Sequence, residues 1–188
     1  TGAPRRMHNP EKNFSCLQVI DSRGLIHATF DKFHLVPFGE YVPLRALNPF
    51  PKLTNGTLDY SAGTGPRTIH VPGLPPFSPL ICYEAIFSGA VIDSTDRPQW
   101  LLNITNDAWY GITSGPYQHL KIVQVRAIEE GLPLVRVANN GISAIIDSYG
   151  RILQRLELNK IGFIDAYLPT HLPQTLYRSF INYCNHLG

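Results

Sequence analysis

The sequence predicts an α/β fold in which strands and helices alternate along the chain and build a layered sheet. Short apolar runs typical of strands recur from Leu80 onward, and one segment among them carries helical start and stop signals. The 188 residues are 44% hydrophobic and 16% charged, which is typical of a chain that folds around a core. We therefore expect a single domain over residues 1–188.

The first third of the chain predicts a hairpin followed by long loops. FSCLQVID (14–21) and LIHATFDK (25–32) have the apolar character of strands and flank the turn sequence SRG. HLVPFGEYVPLRALNPFPKL (34–53) contains four prolines, which predict an ordered loop and not a helix. The Gly- and Pro-rich stretch after it predicts one strand, near residues 68–71.

The rest of the chain predicts a succession of strands and helices. GPYQHLKIVQVRAIEEG (115–131) is a helix, because Pro116 lies near its start and Gly131 just after its last turn. AIFSGAVIDS (85–94) is a second candidate helix. The predicted strands are PLICYE (79–84), QWLLNITND (99–107), PLVRVANNG (133–141), both arms of the hairpin ISAIIDSYGRILQRL (142–156) that turns at 148–150, and IGFIDAYLP (161–169).

Charge and cysteine usage exclude several classes of function. The net charge of +2 is too balanced to indicate a nucleic-acid partner. No run of 18 apolar residues occurs, so nothing in this sequence predicts a membrane span. The three cysteines form no C-x-x-C pair, which argues against a structural zinc site, and their odd number argues against a full disulfide framework. We expect free thiols, one of which reacts.

Polar and reactive residues follow four of the predicted strands. They are Lys32, Cys82–Glu84, Asn103–Asp107 and Asn139–Asn140. Ligands of open α/β sheets bind where strands end, and a site there requires these groups to converge. A thiol at a bend between a strand and a helix lies near a helix N-terminus, whose dipole favours the thiolate. Position alone, however, leaves a buried, unreactive cysteine as the commoner alternative for Cys82.

Lys32 and Glu40 are the candidates for electrostatic support of a thiolate. A lysine near a thiolate lowers the pKa of the thiol and stabilises an oxyanion that forms when the thiolate attacks a carbonyl. Glu40 is the expected partner, because a buried lysine needs a carboxylate that keeps it charged. No spacing favours a histidine as the base of Cys82, and we expect His119, on the predicted helix, to serve packing or polar support.

Together these motifs resemble the nitrilase (carbon–nitrogen hydrolase) superfamily, and within it the apolipoprotein N-acyltransferase branch. The similarity runs from about residue 29 to 179. Its fold is an α-β-β-α sandwich, of which we expect this chain to be a part that lacks the N-terminal strands. The matching stretches are DKFHLVPFGEYVPL, PLICYEAIF, LLNITNDAWYG, GPYQHLKIVQVRAIEEGLPLVRVANNGISAIID and TLYRS.

The resemblance assigns a role to each matching residue. It places the nucleophile at Cys82, the catalytic lysine at Lys32 and a supporting glutamate at Glu40. It also places Tyr83 beside the nucleophile and a further glutamate at Glu84. The family's general-base glutamate matches no residue here, so we expect it upstream of this chain, and we expect the chain alone to be inactive.

The resemblance also implies an activity, acyl transfer in two steps through a thioester. The acyl donor is a membrane phospholipid, and the acceptor is the N-terminal amino group of a diacylglyceryl-cysteine lipoprotein. No metal or organic cofactor is needed. The complete protein is expected in the bacterial inner membrane, held there by helices outside this chain, with this domain on the periplasmic side.

The long apolar loops are candidates for contact with lipid. Parts of segments 38–50 and 72–77 are expected to line the acyl path, although packing over the sheet is the simpler explanation for most of their apolar side chains. Trp109 and Tyr110 are candidate walls of the site. Asn103, Asn106 and Asp107 are expected only to satisfy backbone groups of the loop. Two other functions stay open, a nitrilase-type amidase and a non-catalytic binding module.

Overall fold

The computed structural model describes residues 1–44 and 59–185, which fall into two compact units, Thr1–Gly65 and Pro66–Gly188. A three-stranded sheet lies in the first unit and a five-stranded sheet in the second. The single domain expected over 1–188 stays a prediction.

The first unit is built on an antiparallel sheet in the order β1-β2-β3. Its strands are β1 (Gly2–His8), β2 (Glu11–Ile20) and β3 (Ile26–Asp31). The predicted hairpin is confirmed by the pairing of β2 with β3, and β1 is an additional strand that the sequence reading missed. The Asp21 carboxylate closes the hairpin turn, because it accepts hydrogen bonds from the backbone N–H groups of Arg23 and Leu25.

The second unit contains a mixed sheet in the order β4-β5-β6-β7-β8. The first three strands are parallel and the last two join them antiparallel, with the predicted hairpin between β7 and β8 confirmed. Residues 115–130 connect β5 to β6, as a parallel pair requires. The strands are β4 (Phe77–Ile81), β5 (Trp100–Asn106), β6 (Leu134–Asn139), β7 (Ser143–Ile146) and β8 (Ile152–Leu156).

Two α-helices belong to the second unit, α1 (Gly115–Glu130) and α2 (Leu176–Asn185). The prediction of α1 is confirmed, since Pro116 occupies its first turn and Gly131 ends it with a left-handed φ of 64°. Its buried face, which includes Leu120, Val123 and Ala127, packs into the core of the sheet. The sequence analysis did not identify α2. Among the described residues, no helix combines the length and apolar character that crossing a bilayer requires.

Two predicted elements are wrong. The candidate helix at 85–94 is absent, because the chain makes a short 3₁₀ helix at Cys82–Ile86 and then turns irregularly through Gly89, whose φ is 79°. The last predicted strand, 161–169, has no partner strand among the described residues, although its sequence alternates. An alternating pattern forms a strand only where a sheet edge pairs with it. Near 68–71 only a single bridge forms, between Ile69 and Phe77.

Candidate active site

Three of the four predicted strand ends lie at one edge of the second sheet. Strands β4, β5 and β6 are parallel and in register, so the residues that follow them lie side by side. Asn106 pairs with Asn139, and the Asn139 side-chain amide lies 3.4 Å from the Asn106 oxygen. Cys82 directly follows β4, and Asp107 directly follows β5. These three ends therefore lie together, as a site requires, while Lys32 belongs to the other unit.

Cys82 occupies a sharp bend where β4 gives way to the 3₁₀ helix. Its φ of 50° lies in the left-handed region, which costs a residue other than glycine about 1 kcal/mol or more. Cys82 is a half-buried residue with a free thiol. A strained backbone of this kind persists only where neighbouring groups hold it.

Glu84 and Tyr83 surround this bend. The Glu84 carboxylate is fully buried and accepts a hydrogen bond from the Ile81 backbone N–H at 2.7 Å, which ties the 3₁₀ helix back to the end of β4. Tyr83 is half-buried, and its ring meets Phe87 edge-on with centroids 5.1 Å apart. Both residues therefore lie where the resemblance places supporting groups beside the nucleophile.

A buried ionic cluster lies beneath the bend. We define it as Asn103, Asp107, His119 and Arg136, all of them buried. The Arg136 guanidinium donates to the Asp107 carboxylate at 2.6 Å and to the Asn103 side-chain oxygen. The other Asp107 oxygen lies 3.0 Å from His119 Nδ1. The expectation that Asp107 and Asn103 serve only loop backbone groups is wrong, because both side chains accept hydrogen bonds from the buried Arg136 guanidinium.

The cluster perturbs the pKa of both ions of its central pair. Burial alone would raise the pKa of Asp107, but the His119 hydrogen bond and the Arg136 charge outweigh it and hold that pKa below its ordinary value. Burial lowers the pKa of Arg136, a guanidinium that nevertheless stays charged in proteins. The cluster is therefore a buried carboxylate–guanidinium pair whose remaining polar atoms have partners, as burial of charge demands.

The cluster contacts the Cys82 segment directly. His119 Nε2 lies 3.2 Å from the Cys82 carbonyl oxygen, and the Asn103 side-chain amide donates to the Leu80 carbonyl at 3.1 Å. The expectation of polar support from His119 is thus confirmed. The sequence analysis missed Arg136. Arg136 could have been found from the sequence, because it interrupts the apolar run LVRVA of a predicted strand. A charged side chain in such a run needs a buried acceptor.

Lys32 and Glu40 form a second polar group, in the first unit. The Lys32 side chain is 2% exposed, and its ammonium donates to both Glu40 oxygens, at 2.8 and 2.7 Å. Glu40 also accepts from the Val36 backbone N–H at 2.7 Å, which fixes the carboxylate to the loop after β3. Gly63 approaches the Asp31 carbonyl so closely that an added Cβ would lie 2.2 Å from that oxygen. The ion pair with Glu40 therefore fixes the Lys32 side chain in place just after β3.

Trp109 and Tyr110 lie on a 3₁₀ helix, Asp107–Tyr110, that follows β5. Asn106 caps this helix by accepting from the Ala108 N–H, which confirms the backbone role expected for Asn106. Trp109 is 70% exposed, and Tyr110 is 40% exposed with its ring edge-on to His119. Burial, followed by the nearby Cys82 and Asp107, raises the pKa of Tyr110. Tyr110 therefore lies near Cys82, and Trp109, one residue before it, is exposed to solvent.

The predicted acyl-path segments are only partly described. Phe38, Leu44 and Leu74 are exposed apolar side chains, whereas Phe77 is buried in β4 against Trp100. The part of 38–50 beyond residue 44 lies outside the described residues. Over 1–44 and 59–185, no group of three or more His, Cys, Asp or Glu side chains could hold a metal ion.

Comparisons with known proteins agree with the motif resemblance. The carbon–nitrogen hydrolase family pattern matches residues 1–175. The chain is 49% identical over 167 residues to an apolipoprotein N-acyltransferase of Bradyrhizobium diazoefficiens, covering 87% of this chain and 31% of that protein. It is 44% identical over 185 residues to one from Rhodopseudomonas palustris, covering 94% of this chain and 34% of that protein. The chain thus spans about a third of these relatives.

Solved structures share the fold at low sequence identity. An amidase variant from Nesterenkonia sp. AN1, with the acetamide moiety of fluoroacetamide added covalently at its active-site cysteine, matches with a TM-score of 0.60 and 19% identity over 99% of this chain and 65% of that one. A glutamine-dependent NAD+ synthetase from Acinetobacter baumannii matches with a TM-score of 0.64 and 17% identity over 85% of this chain and 29% of that one. The fold is nitrilase-like, and the chain belongs to the carbon–nitrogen hydrolase family.

Proposed function

We propose that this chain is the nucleophile-bearing part of an apolipoprotein N-acyltransferase. The observation that carries the proposal is the half-buried Cys82 at a left-handed bend, in a chain 44–49% identical to relatives of that name. The substrates are a membrane phospholipid and a lipoprotein that ends in a diacylglyceryl-cysteine. The site acts at the periplasmic face of the inner membrane.

The first step forms an acyl-thioester. The Cys82 thiolate attacks an ester carbonyl of the phospholipid, after a glutamate expected upstream of this chain has taken the thiol proton. Lys32, kept charged by Glu40, and the backbone N–H near Tyr83 stabilise the tetrahedral oxyanion. The ester C–O bond then breaks, and the lysophospholipid leaves as an alcohol that carries the proton returned by the glutamic acid.

The second step transfers the acyl group to the lipoprotein. The α-amino group of the diacylglyceryl-cysteine attacks the thioester carbonyl and loses a proton to the glutamate. The C–S bond breaks, an amide forms, and Cys82 recovers its proton. Trp109 and Tyr110 act as walls that guide the lipid, and the exposed apolar side chains Phe38 and Leu44 lie on the acyl path.

The experiment that tests this function measures intact mass. The complete gene product is incubated in detergent with a phospholipid and no acceptor, next to the Cys82→Ala variant. We expect a mass gain of one fatty acyl group that hydroxylamine removes and that the variant lacks. No mass gain on the folded protein would contradict the acyltransferase and would favour the amidase or the binding module. The 188-residue chain, run in parallel, is expected to stay unmodified.

A further inference from the structure

We infer that His119 is a positioning residue, which holds the Cys82 peptide in its left-handed conformation through a hydrogen bond to the Cys82 carbonyl. The ring is in turn oriented by the buried Asp107–Arg136 pair. The expected effect on the rate of acyl-thioester formation rests on the proposed function of Cys82. The expected effect on backbone order at residues 82–87 does not.

The atoms around the imidazole decide which nitrogen carries a proton. The Cys82 carbonyl only accepts, so Nε2 must donate across the 3.2 Å that separates them. Nδ1 lies between an acceptor and a donor, 3.0 Å from Asp107 Oδ1 and 3.3 Å from the Arg136 guanidinium. A ring protonated only at Nε2 can accept from Arg136 at Nδ1 but gives up the hydrogen bond to Asp107, whereas a ring protonated at both nitrogens donates to Asp107 and to Cys82. Both forms keep the Nε2–H that Cys82 needs.

The remaining tautomer, protonated only at Nδ1, keeps the hydrogen bond to Asp107 but loses the one to Cys82. A neutral ring protonated at Nδ1 would place the Nε2 lone pair against the Cys82 carbonyl oxygen, and two acceptors repel at that distance. The Asp107–Arg136 pair therefore holds the ring through Nδ1 in either usable protonation state. This is what a fixed donor to Cys82 requires, since an imidazole held at one nitrogen only could turn away.

The space around Asp107 is shaped for this arrangement. Gly141, just after β6, lies so close that an added Cβ would be 2.3 Å from Asp107 Oδ2. Thr105 supports the other carboxylate oxygen with a hydroxyl hydrogen bond of 3.1 Å. The carboxylate is thus confined from several directions, and the imidazole that it orients is confined with it.

A pair of substitutions separates the two ends of the imidazole. In His119→Gln, the side-chain amide reaches the place of Nε2 and can still donate to Cys82, while the contact with Asp107 is lost. In His119→Asn, the shorter amide reaches the place of Nδ1 and keeps Asp107, while Cys82 loses its donor. His119→Ala removes both contacts. A positioning role favours Gln over Asn, whereas a role confined to the ionic cluster favours Asn over Gln.

The first measurement is amide hydrogen exchange of the complete gene product in detergent, read on the peptide that contains residues 82–87. We expect exchange there to be near the wild-type rate in His119→Gln. In His119→Asn and His119→Ala it should rise about fivefold, the factor that corresponds to one net hydrogen bond. Peptides of β7 and β8 report whether a variant has lost the whole unit. If His119→Ala unfolds, the Gln and Asn variants decide.

The second measurement is the rate of acyl-thioester formation as a function of phospholipid concentration. We expect His119→Asn to lower kcat with little change of KM, and His119→Gln to recover most of the rate. The control is Arg155→Met, which breaks the exposed Arg155–Glu157 pair at β8 and should leave the 82–87 peptide unchanged. Equal exchange in the Gln and Asn variants, or faster exchange in Gln than in Asn, would overturn the inference. If the wild type forms no thioester, the proposed function fails and the exchange experiment still decides this inference.

Discussion

At the scale of single residues, the ion pair of the buried Lys32 with Glu40 fixes the position of the lysine ammonium. The Lys32 side chain is 2% exposed, and Glu40 supplies the carboxylate that an ammonium in such a place needs, accepting two of its hydrogen bonds. The Glu40 side chain is 19% exposed, and it also accepts a hydrogen bond from the Val36 backbone N–H. One carboxylate therefore orders both the ammonium and the loop that follows β3.

Replacement of Glu40 by alanine should destabilise the first unit by about 3 kcal/mol, near the lower end of the cost of breaking a buried pair. The reason is that the Lys32 ammonium and the Val36 N–H both lose their acceptor. The measurement is denaturant unfolding, with hydrogen exchange at Val36 as the local probe. Glu11→Ala is the matched control, because the Glu11–Arg6 pair is exposed and should contribute less than about 1 kcal/mol. Equal losses in the two variants would contradict this account of Lys32.

At the scale of elements, the contact of α2 with the end of α1 depends on one buried ion pair. Arg178 on α2 donates to both oxygens of Glu130, the last residue of α1, and both side chains are almost fully buried. Thr175 adds a hydroxyl hydrogen bond to the Glu129 carbonyl. This pair binds α2 to α1, although a short helix of this composition would be marginal alone.

The variant Arg178→Met should release α2. Without Arg178, Glu130 would be a buried carboxylate that has lost its ion-pair partner between α1 and α2, which costs about 3–5 kcal/mol. The remaining contacts of the ten-residue helix α2 are expected to stabilise the docked state by less than this. Hydrogen exchange should show fast exchange across 176–185 and nearly unchanged exchange in β4 to β8. Arg155→Met, which breaks the exposed Arg155–Glu157 pair, serves as the control. Protection of α2 that survives in Arg178→Met would show that apolar contacts alone hold this helix.

At the scale of the whole molecule, several carboxylates make stability depend on pH. Backbone and side-chain hydrogen bonds lower the pKa of Asp21 to about 2. Hydrogen bonds from Thr95 lower the pKa of Asp93. For Asp107 and Asp147, burial acts in the opposite direction but is outweighed by hydrogen bonds and neighbouring charges, and both pKa values are lowered. Carboxylates of both units are therefore more acidic in the folded chain.

The sign of the effect follows from the folded pKa lying below the unfolded value of about 3.9. The stabilisation is complete above that value and is lost as the pH falls through the folded pKa. We expect the free energy of unfolding to fall between about pH 4 and pH 2, measured by urea denaturation. Asp107→Asn should lower stability at pH 7 and flatten this decline. Lys160→Gln, an exposed change, should follow the wild-type curve, and an Asp107→Asn curve parallel to it would refute the assignment.

The elements that sequence reasoning identified are those whose signals are local. The turn SRG, the proline and glycine that bound α1, and the apolar runs of β4 to β7 are properties of neighbouring residues. The elements that it missed or misread depend on distant partners. Segment 161–169 alternates like a strand but has no strand beside it among the described residues, and α2 depends on Glu130, 48 residues before Arg178.

The sequence by itself determined the family, the succession of strands and helix along the chain from β4 to β6 and the position of Cys82 at a strand end, because each rests on short contiguous motifs. Only the tertiary structure decided that Asp107, His119 and Arg136 form one buried cluster beneath Cys82. These residues are 12 to 29 positions apart, and their types are common at surfaces. The physical reason is that burial of charge is decided by which strand ends the sheet brings together, and the local sequence does not specify that placement.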